Sequence, residues 1–164
     1  MTLLKNGKIE KDSYVDCSGK EDVATAGQII ISYKQWVAYR DLLSKKNDRL
    51  GIKLLSHEKP DLIATDLEYF SLIALEFPSF ADGRAYSYAR LLRDHYGYSG
   101  ELRAVGDVLL EQLHFMQRVG FDAFEVENDD ALEAWKTALS DLSVWYQTTG
   151  DGRSSVMQLR HKID

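Results

Sequence analysis

The sequence predicts an α/β fold: a parallel sheet of repeated strand–helix units, either an open layered sheet or half of a β/α barrel, preceded by a small N-terminal hairpin. Three observations carry this expectation. Short β-branched or continuously apolar runs recur near Leu50, Leu72, Glu101 and Phe121. Stretches of helical period separate them. Proline or glycine punctuates the joins at Pro78, Gly97, Gly100 and Gly120. Strands that alternate with helices pair in parallel through right-handed crossovers. A full eight-fold barrel takes about 250 residues, and this chain has 164.

The elements follow in order. Lys5-Asn6-Gly7-Lys8 lies between Leu3-Leu4 and Ile9 and predicts a hairpin turn. Asp12 to Gly27 is polar and reads as a loop. Gln28 to Ser32 is a β-branched strand, and Trp36, Val37, Tyr39, Leu42 and Leu43 then fall at helical spacing. Leu50 to Leu55 is a strand. Pro60 suits the first turn of a helix running to about Tyr69. Leu72 to Phe77 is a near-continuous apolar run stopped by Pro78, as in a buried strand. Asp82-Gly83-Arg84 is a turn opening a helix from Ala85 to His95, closed by Gly97 and Gly100. Glu101 to Gly106 is a strand, Val108 to Val119 a helix, and Ala123 to Val126 a short strand. Asp129 or Asp130 caps a last helix through Ala131, Leu132, Trp135, Leu139 and Leu142. The expected organisation is a hairpin and loop over 1–27, one α/β domain over 28–149, and a polar tail over 150–164 with no clear period.

Composition narrows the function. The chain is 45% hydrophobic and 28% charged, which excludes disorder as the main state. A net charge of -6 speaks against a general nucleic-acid binder. No apolar run approaches the roughly 18 residues of a membrane span, and the first ten residues lack the apolar segment of a signal peptide. Cytoplasmic location is the expectation. Cys17 is the single cysteine, so neither an internal disulfide nor a dithiol redox centre can form. His57, His95, His114 and His161 do not stand at metal-ligand spacing. Gly97-Tyr98-Ser99-Gly100 precedes a strand, whereas a dinucleotide fingerprint follows one. No cofactor and no metal are therefore expected.

Ligands in parallel α/β folds sit at the carboxyl ends of the strands. That rule selects Glu76 and the loop to Arg84, Asp107 after the next strand, and Glu125, Glu127 and Asn128 after the last. Arg103, inside its strand between Leu102 and Ala104, needs an acidic partner, and Glu76 or Glu125 can supply one. The pair is either a structural ion pair or the floor of a polar pocket. The turn before Ala85 is either plain capping by Asp82 or an anion site using Arg84, Ser87 and the helix N-terminus. The stretch from Asp107 to Asp151 is rich in acids against only Arg118 and Lys136. It is either a solvated face or a surface for a basic partner.

The run FPSFADGRAYSYARLLRDHYGYSGELRAVGDVLLEQLHFMQRVGFDAFEV, Phe77 to Val126, resembles the bacterial family of domain of unknown function 934. Members of that family are often labelled probable oxidoreductases involved in sulfite reduction. The motif positions are Asp82, Gly83, Arg84, Ser87, Arg90, Arg93, Glu101, Arg103, Gly106, Asp107 and Gln112. The resemblance implies a place in assimilatory sulfite reduction, beside a sirohaem sulfite reductase. Two readings follow. The chain is an accessory partner of that reductase, or it is a small α/β enzyme or binding domain for a sulfur oxyanion. In the second, Arg84 and Arg103 hold the charge and Asp107 or Glu76 acts as acid or base. A structural homo-oligomer is a third possibility.

Overall fold

The computed structural model describes residues 1–20, 27–45, 49–127, 131–140, 146 and 154–160. Its eight strands are β1 (Thr2–Lys5), β2 (Lys8–Glu10), β3 (Val15–Asp16), β4 (Ile29–Ser32), β5 (Leu50–Leu54), β6 (Phe70–Phe77), β7 (Glu101–Gly106) and β8 (Ala123–Val126). They form one sheet in the order β2-β1-β8-β7-β6-β5-β4-β3, curled into a half-barrel. From β3 to β8 all neighbours are parallel and adjacent in sequence order. Only β1 runs antiparallel, to β2 on one side and β8 on the other.

The order has a geometric consequence. Right-handed crossovers that always step to the next strand place every connection on one face. One large core accordingly joins Ile31, Ile52, Ile73, Leu75 and Phe124 of the sheet to side chains of the crossovers. These include Trp36, Ile63, Ala85, Ala89, Leu113 and Met116, and Trp135, from beyond the last strand, joins the same core. The opposite face is helix-free among the described residues, and there Ile30, Leu72, Ala74 and Val105 form a small apolar cluster, with Tyr14 packed on it. Because β6 is covered on both faces, it reads as continuous apolar sequence rather than as an alternation.

The crossovers differ from one another. Helix α1 (Tyr33–Leu43) joins β4 to β5 and opens with a capping box. The Gln35 N–H donates to Ser32 Oγ at 3.3 Å, and the Ser32 N–H donates to Gln35 Oε1 at 2.7 Å. Between β5 and β6 the expected helix from Pro60 to Tyr69 is instead two 3-10 turns, Pro60–Ile63 and Leu67–Tyr69. Asp66, between them, accepts from Trp36 Nε1 at 2.8 Å and pairs with Arg40. That buried acceptor fixes the connection against α1 where a periodic helix would have been expected. Helix α2 (Arg84–Arg90) passes into a π turn, Leu91–His95, before β7. Gly97 ends it at φ +63, a conformation that favours glycine. Between β7 and β8 the chain makes a 3-10 turn at Leu110–Gln112 and then α3 (Leu113–Arg118), later than the expected start at Val108. Helix α4 (Ala131–Ser140) packs near α3 and β1. The expected caps Asp129 and Asp130, together with Asn128, Leu142 and His161, lie outside the described residues.

Both ends of the chain hold more structure than their polar composition suggests. The hairpin turn carries Asn6 and Gly7 at φ 49 and 74, the pattern of a two-residue type I′ turn. Its first strand is paired into the sheet through Leu3↔Glu125 and Leu4↔Phe124. The loop after it forms β3 beside β4. The polar tail contains a short helix, α5 (Val156–Arg160). Ser155 Oγ accepts from the Gln158 N–H at 3.3 Å, and the Ser155 N–H donates to Gln158 Oε1 at 2.8 Å.

Gly106 closes β7 at φ +94, and a Cβ built there would lie 2.4 Å from the Phe77 carbonyl oxygen. The glycine lets β7 and β6 end side by side. Gly106→Ala is expected to destabilise by about 1–3 kcal/mol from backbone strain, with the backbone clash in addition. A lowered midpoint in urea unfolding checks this, and an unchanged midpoint would refute it.

Candidate functional site

Arg103 stands at the centre of the helix-free face. Its register neighbours are Ala74 on β6 and Ala123 on β8, whose small side chains leave room for a guanidinium. The side chain is 1% exposed and is shared by three carboxylates. Nη1 donates to Asp12 Oδ2 at 2.6 Å and Nη2 to Asp12 Oδ1 at 3.3 Å, a forked contact. Nε donates to Glu101 Oε1 at 3.0 Å, and Nη1 to Glu125 Oε1 at 3.2 Å. The Tyr14 ring lies 5.7 Å from the guanidinium carbon, and the Tyr14 hydroxyl is 2.8 Å from Ser71 Oγ. Lys5 Nζ bonds Glu101 Oε2 at 2.6 Å. The five groups therefore leave one excess negative charge. Burial acts to lower the Arg103 pKa, yet the hydrogen bond and charge of Asp12 and Glu101 hold it above its ordinary value. Burial pushes the Glu125 carboxyl up, with Arg103 pulling it back.

Of the two partners expected for Arg103, Glu125 is found and Glu76 is not. Glu76 faces Val105 in the register and pairs with Lys53 at 3.3 Å instead. It stands two residues beyond Ala74, the residue opposite Arg103, and Lys53 of β5 reaches it from the other side. A guanidinium already held by carboxylates in a site of net negative charge is a poor receptor for an oxyanion. The arrangement fits a structural clasp joining the N-terminal loop, β7 and β8.

The second set of expected residues gathers at the carboxyl ends of β6 and β7. The Gly106 turn brings the Asp107 N–H to the Phe77 carbonyl at 2.8 Å. The Asp107 carboxylate then accepts from the Phe80 N–H at 2.8 Å, and the Gln112 side-chain amide donates to the Phe80 carbonyl at 3.4 Å. Asp107 is thus a pin for the 77–84 loop rather than an open acid or base. At the other end of the loop, Arg84 Nη2 donates to Asp82 Oδ2 at 2.5 Å and to Ser56 Oγ at 2.8 Å. The Tyr88 hydroxyl donates to the Ser56 carbonyl at 3.2 Å. The N-cap of α2 is Gly83, not Asp82. Asp82 instead accepts the Arg84 N–H at 3.2 Å, an Asx turn one position earlier. Arg84, in hydrogen bonds first and by charge second, depresses the Asp82 carboxyl to about 2. Ser87 is exposed on α2.

The expected residues therefore divide into two places. Arg103 and Glu125 lie under the N-terminal loop, while Asp82, Arg84 and Asp107 hold the rim, and Glu76 pairs with Lys53. The rim loop presents Phe80, 60% exposed, and α3 presents Phe115, 61% exposed. The Phe115 ring stands 6.1 Å from Tyr86, and Tyr86 stands 5.2 Å from Phe77 in the core. Sequence reasoning missed Asp12, Lys5, Tyr14, Lys53, Ser56 and Phe80. Phe80 had a signal, an aromatic residue in a Pro-Ser-Phe-Ala-Asp-Gly turn; the others are contacts across the sheet with no local pattern.

A family model described as "Bacterial protein of unknown function (DUF934)" matches residues 51–157. Neither the curated proteins nor the solved structures give a match to the chain.

Removing the buried guanidinium leaves three carboxylates facing one another. Arg103→Ala is expected to destabilise by about 3–5 kcal/mol, with Arg103→Lys recovering only part because an ammonium cannot make the fork. Denaturant melts check this, and an unchanged midpoint for Arg103→Ala would refute the clasp. The rim pair has a signed pH dependence. The folded Asp82 pKa, about 2, lies below its ordinary value of 3.8. The unfolded chain thus binds more protons between those values, so the contribution of the pair is present above 3.8 and lost as pH falls through 2. Carboxyl NMR is expected to show Asp82 ionised at the unperturbed aspartate midpoint, and an ordinary titration would refute the Arg84 contact.

Proposed function

The chain belongs to the bacterial DUF934 family, and from that premise we propose that it is an accessory partner of assimilatory sulfite reduction, working beside a sirohaem sulfite reductase in the cytoplasm. The observation that carries the docking part of this reading is the pinned rim loop. Asp107 and Gln112 hold Phe80 by its backbone from one side. Asp82, Arg84 and Ser56 hold the loop from the other. An exposed aromatic ring on a loop that is already fixed loses little further freedom on association. Aromatic and arginine side chains are also the residues that most often dominate protein interfaces. Phe80, Arg84 and Asp107 all fall in the segment whose sequence resembles the family, and the link to sulfite reduction is what that resemblance implies.

Arg84 separates recognition from stability. Its side chain is 52% exposed, so loss of its pair with Asp82 matters little to folding. Arg84→Ala and Phe80→Ala are expected to melt close to wild type and yet to fail to restore growth of a deletion strain on sulfate. Arg84→Lys restores it in part. Affinity-tagged wild type is expected to co-purify with the reductase, and neither alanine variant is. Full growth of both variants would overturn the reading.

A further inference from the structure

We infer that the rim beside Phe80 receives a basic protein surface, with a lysine or arginine side chain of the partner seated in the hollow between the ends of β7 and β8. The inference rests on the reading above that this rim docks a protein, and it adds the chemistry of the surface that fits.

The hollow has a volume of about 540 Å³. Val108, Leu109, Leu110 and Val126 give it apolar walls, and Asp107, Glu111 and Glu127 line it with carboxylates. All three acids are exposed. Long cationic side chains lay their methylene stems on apolar surface while the charged head seeks anions, and the hollow offers both within one space. Asp107 gives one oxygen to the Phe80 N–H, and a carboxylate has further lone pairs to accept with.

The aromatic anchors adjoin this hollow. Glu111 lines the hollow from the 3-10 turn that leads into α3, four residues before Phe115. Gln112, between them in sequence, touches the backbone of Phe80. The rim loop and the acidic hollow are thus joined through Asp107 and Gln112, both bonded to the Phe80 backbone. From Asp107 to Glu127 the basic residues are Arg118, which is buried, and no lysine. Opposite charge on a partner gains in encounter rate, and an acidic partner is repelled. The concave trough near Asp12 also holds carboxylates, but there Asp12, Glu101 and Glu125 are committed to Arg103 and Lys5.

Two arms test this with the full chain. In the first, an acetylated octalysine peptide is titrated into labelled protein and backbone amide shifts are followed by NMR. Shifts confined to 77–84, 107–111 and 127, and abolished in a Glu111→Lys, Glu127→Lys double variant, are expected. Shifts that map to 10–16 and 125 instead, or no shifts, would overturn the inference. In the second, purified sulfite reductase is the probe. Its affinity is expected to fall roughly tenfold between about 50 and 300 mM salt and by a similar factor in Glu111→Lys, with Glu111→Gln intermediate. Val37→Ser on the outer face of α1 is the unaffected control. Tight binding that ignores both salt and Glu111→Lys would overturn the acidic contribution while leaving the reductase as partner. Octalysine shifts on the rim without reductase binding would uphold the basic-surface inference and overturn the choice of the reductase.

Discussion

A guanidinium in the middle of a sheet, shut off from water, is the constraint from which much of the architecture follows. Arg103 cannot be left uncompensated there, because an unpaired buried charge is far costlier than the loss of any one contact. Its carboxylates come from three places: Asp12 in the N-terminal loop, Glu101 on its own strand and Glu125 on β8. Satisfying one side chain therefore requires the first residues of the chain to return across the helix-free face. Tyr14 over the guanidinium and Lys5 on Glu101 complete the closure. The N-terminal segment is held by charge on this face, whereas the crossovers on the other face are held by apolar packing.

That division of labour depends on strand order. Since β3 to β8 pair in the order they occur, the connecting segments crowd onto one side and the opposite side is left to the loop from Asp12. The carboxyl ends of β6 and β7 then lie together, and Gly106 permits the approach that hands Asp107 to the rim loop. One backbone conformation thus links the sheet to the rim surface for which we propose a partner. An added methyl at Gly106 would disturb the loop as well as the strands.

The sequence carried the parts of this fold that have a local signature. The strand Glu101–Gly106 is bounded by glycines and was legible to the residue, as were the turn glycines and the hairpin. The strand carboxyl ends selected Asp107 and the 77–84 loop, and the structure joins the two through the Phe80 N–H. What was not legible depends on register. Arg103 announced its need for an acid, but the choice between Glu76 and Glu125 turns on which residue faces Ala74 and which faces Val105. Asp12 lies 91 residues from Arg103 in the chain, and no periodicity reports a contact of that kind. The stretch from Pro60 to Tyr69 broke into two short turns because a buried acceptor, Asp66, outweighed helical spacing. The tail helix did have a local signal, Ser155 followed three residues later by Gln158, the same capping box that opens α1 at Ser32.

The two charged regions of the molecule answer different physical demands. Around Arg103 the charges are buried and mutually satisfied, so a ligand arriving there would have to break strong contacts before making its own. At the rim the hydrogen bonds are spent on the backbone and on Arg84, and they fix the loop without consuming its surface. Phe80 remains exposed although its N–H and carbonyl are both bonded. An exposed aromatic ring on a mobile loop would have to be ordered at the moment of binding, and that ordering would weaken the complex. Here the ordering has been done during folding, by Asp107, Gln112 and the Asp82–Arg84–Ser56 contact. Stability is thereby invested in a surface that the core does not use, which is the physical ground for placing recognition at the rim and structural support at Arg103.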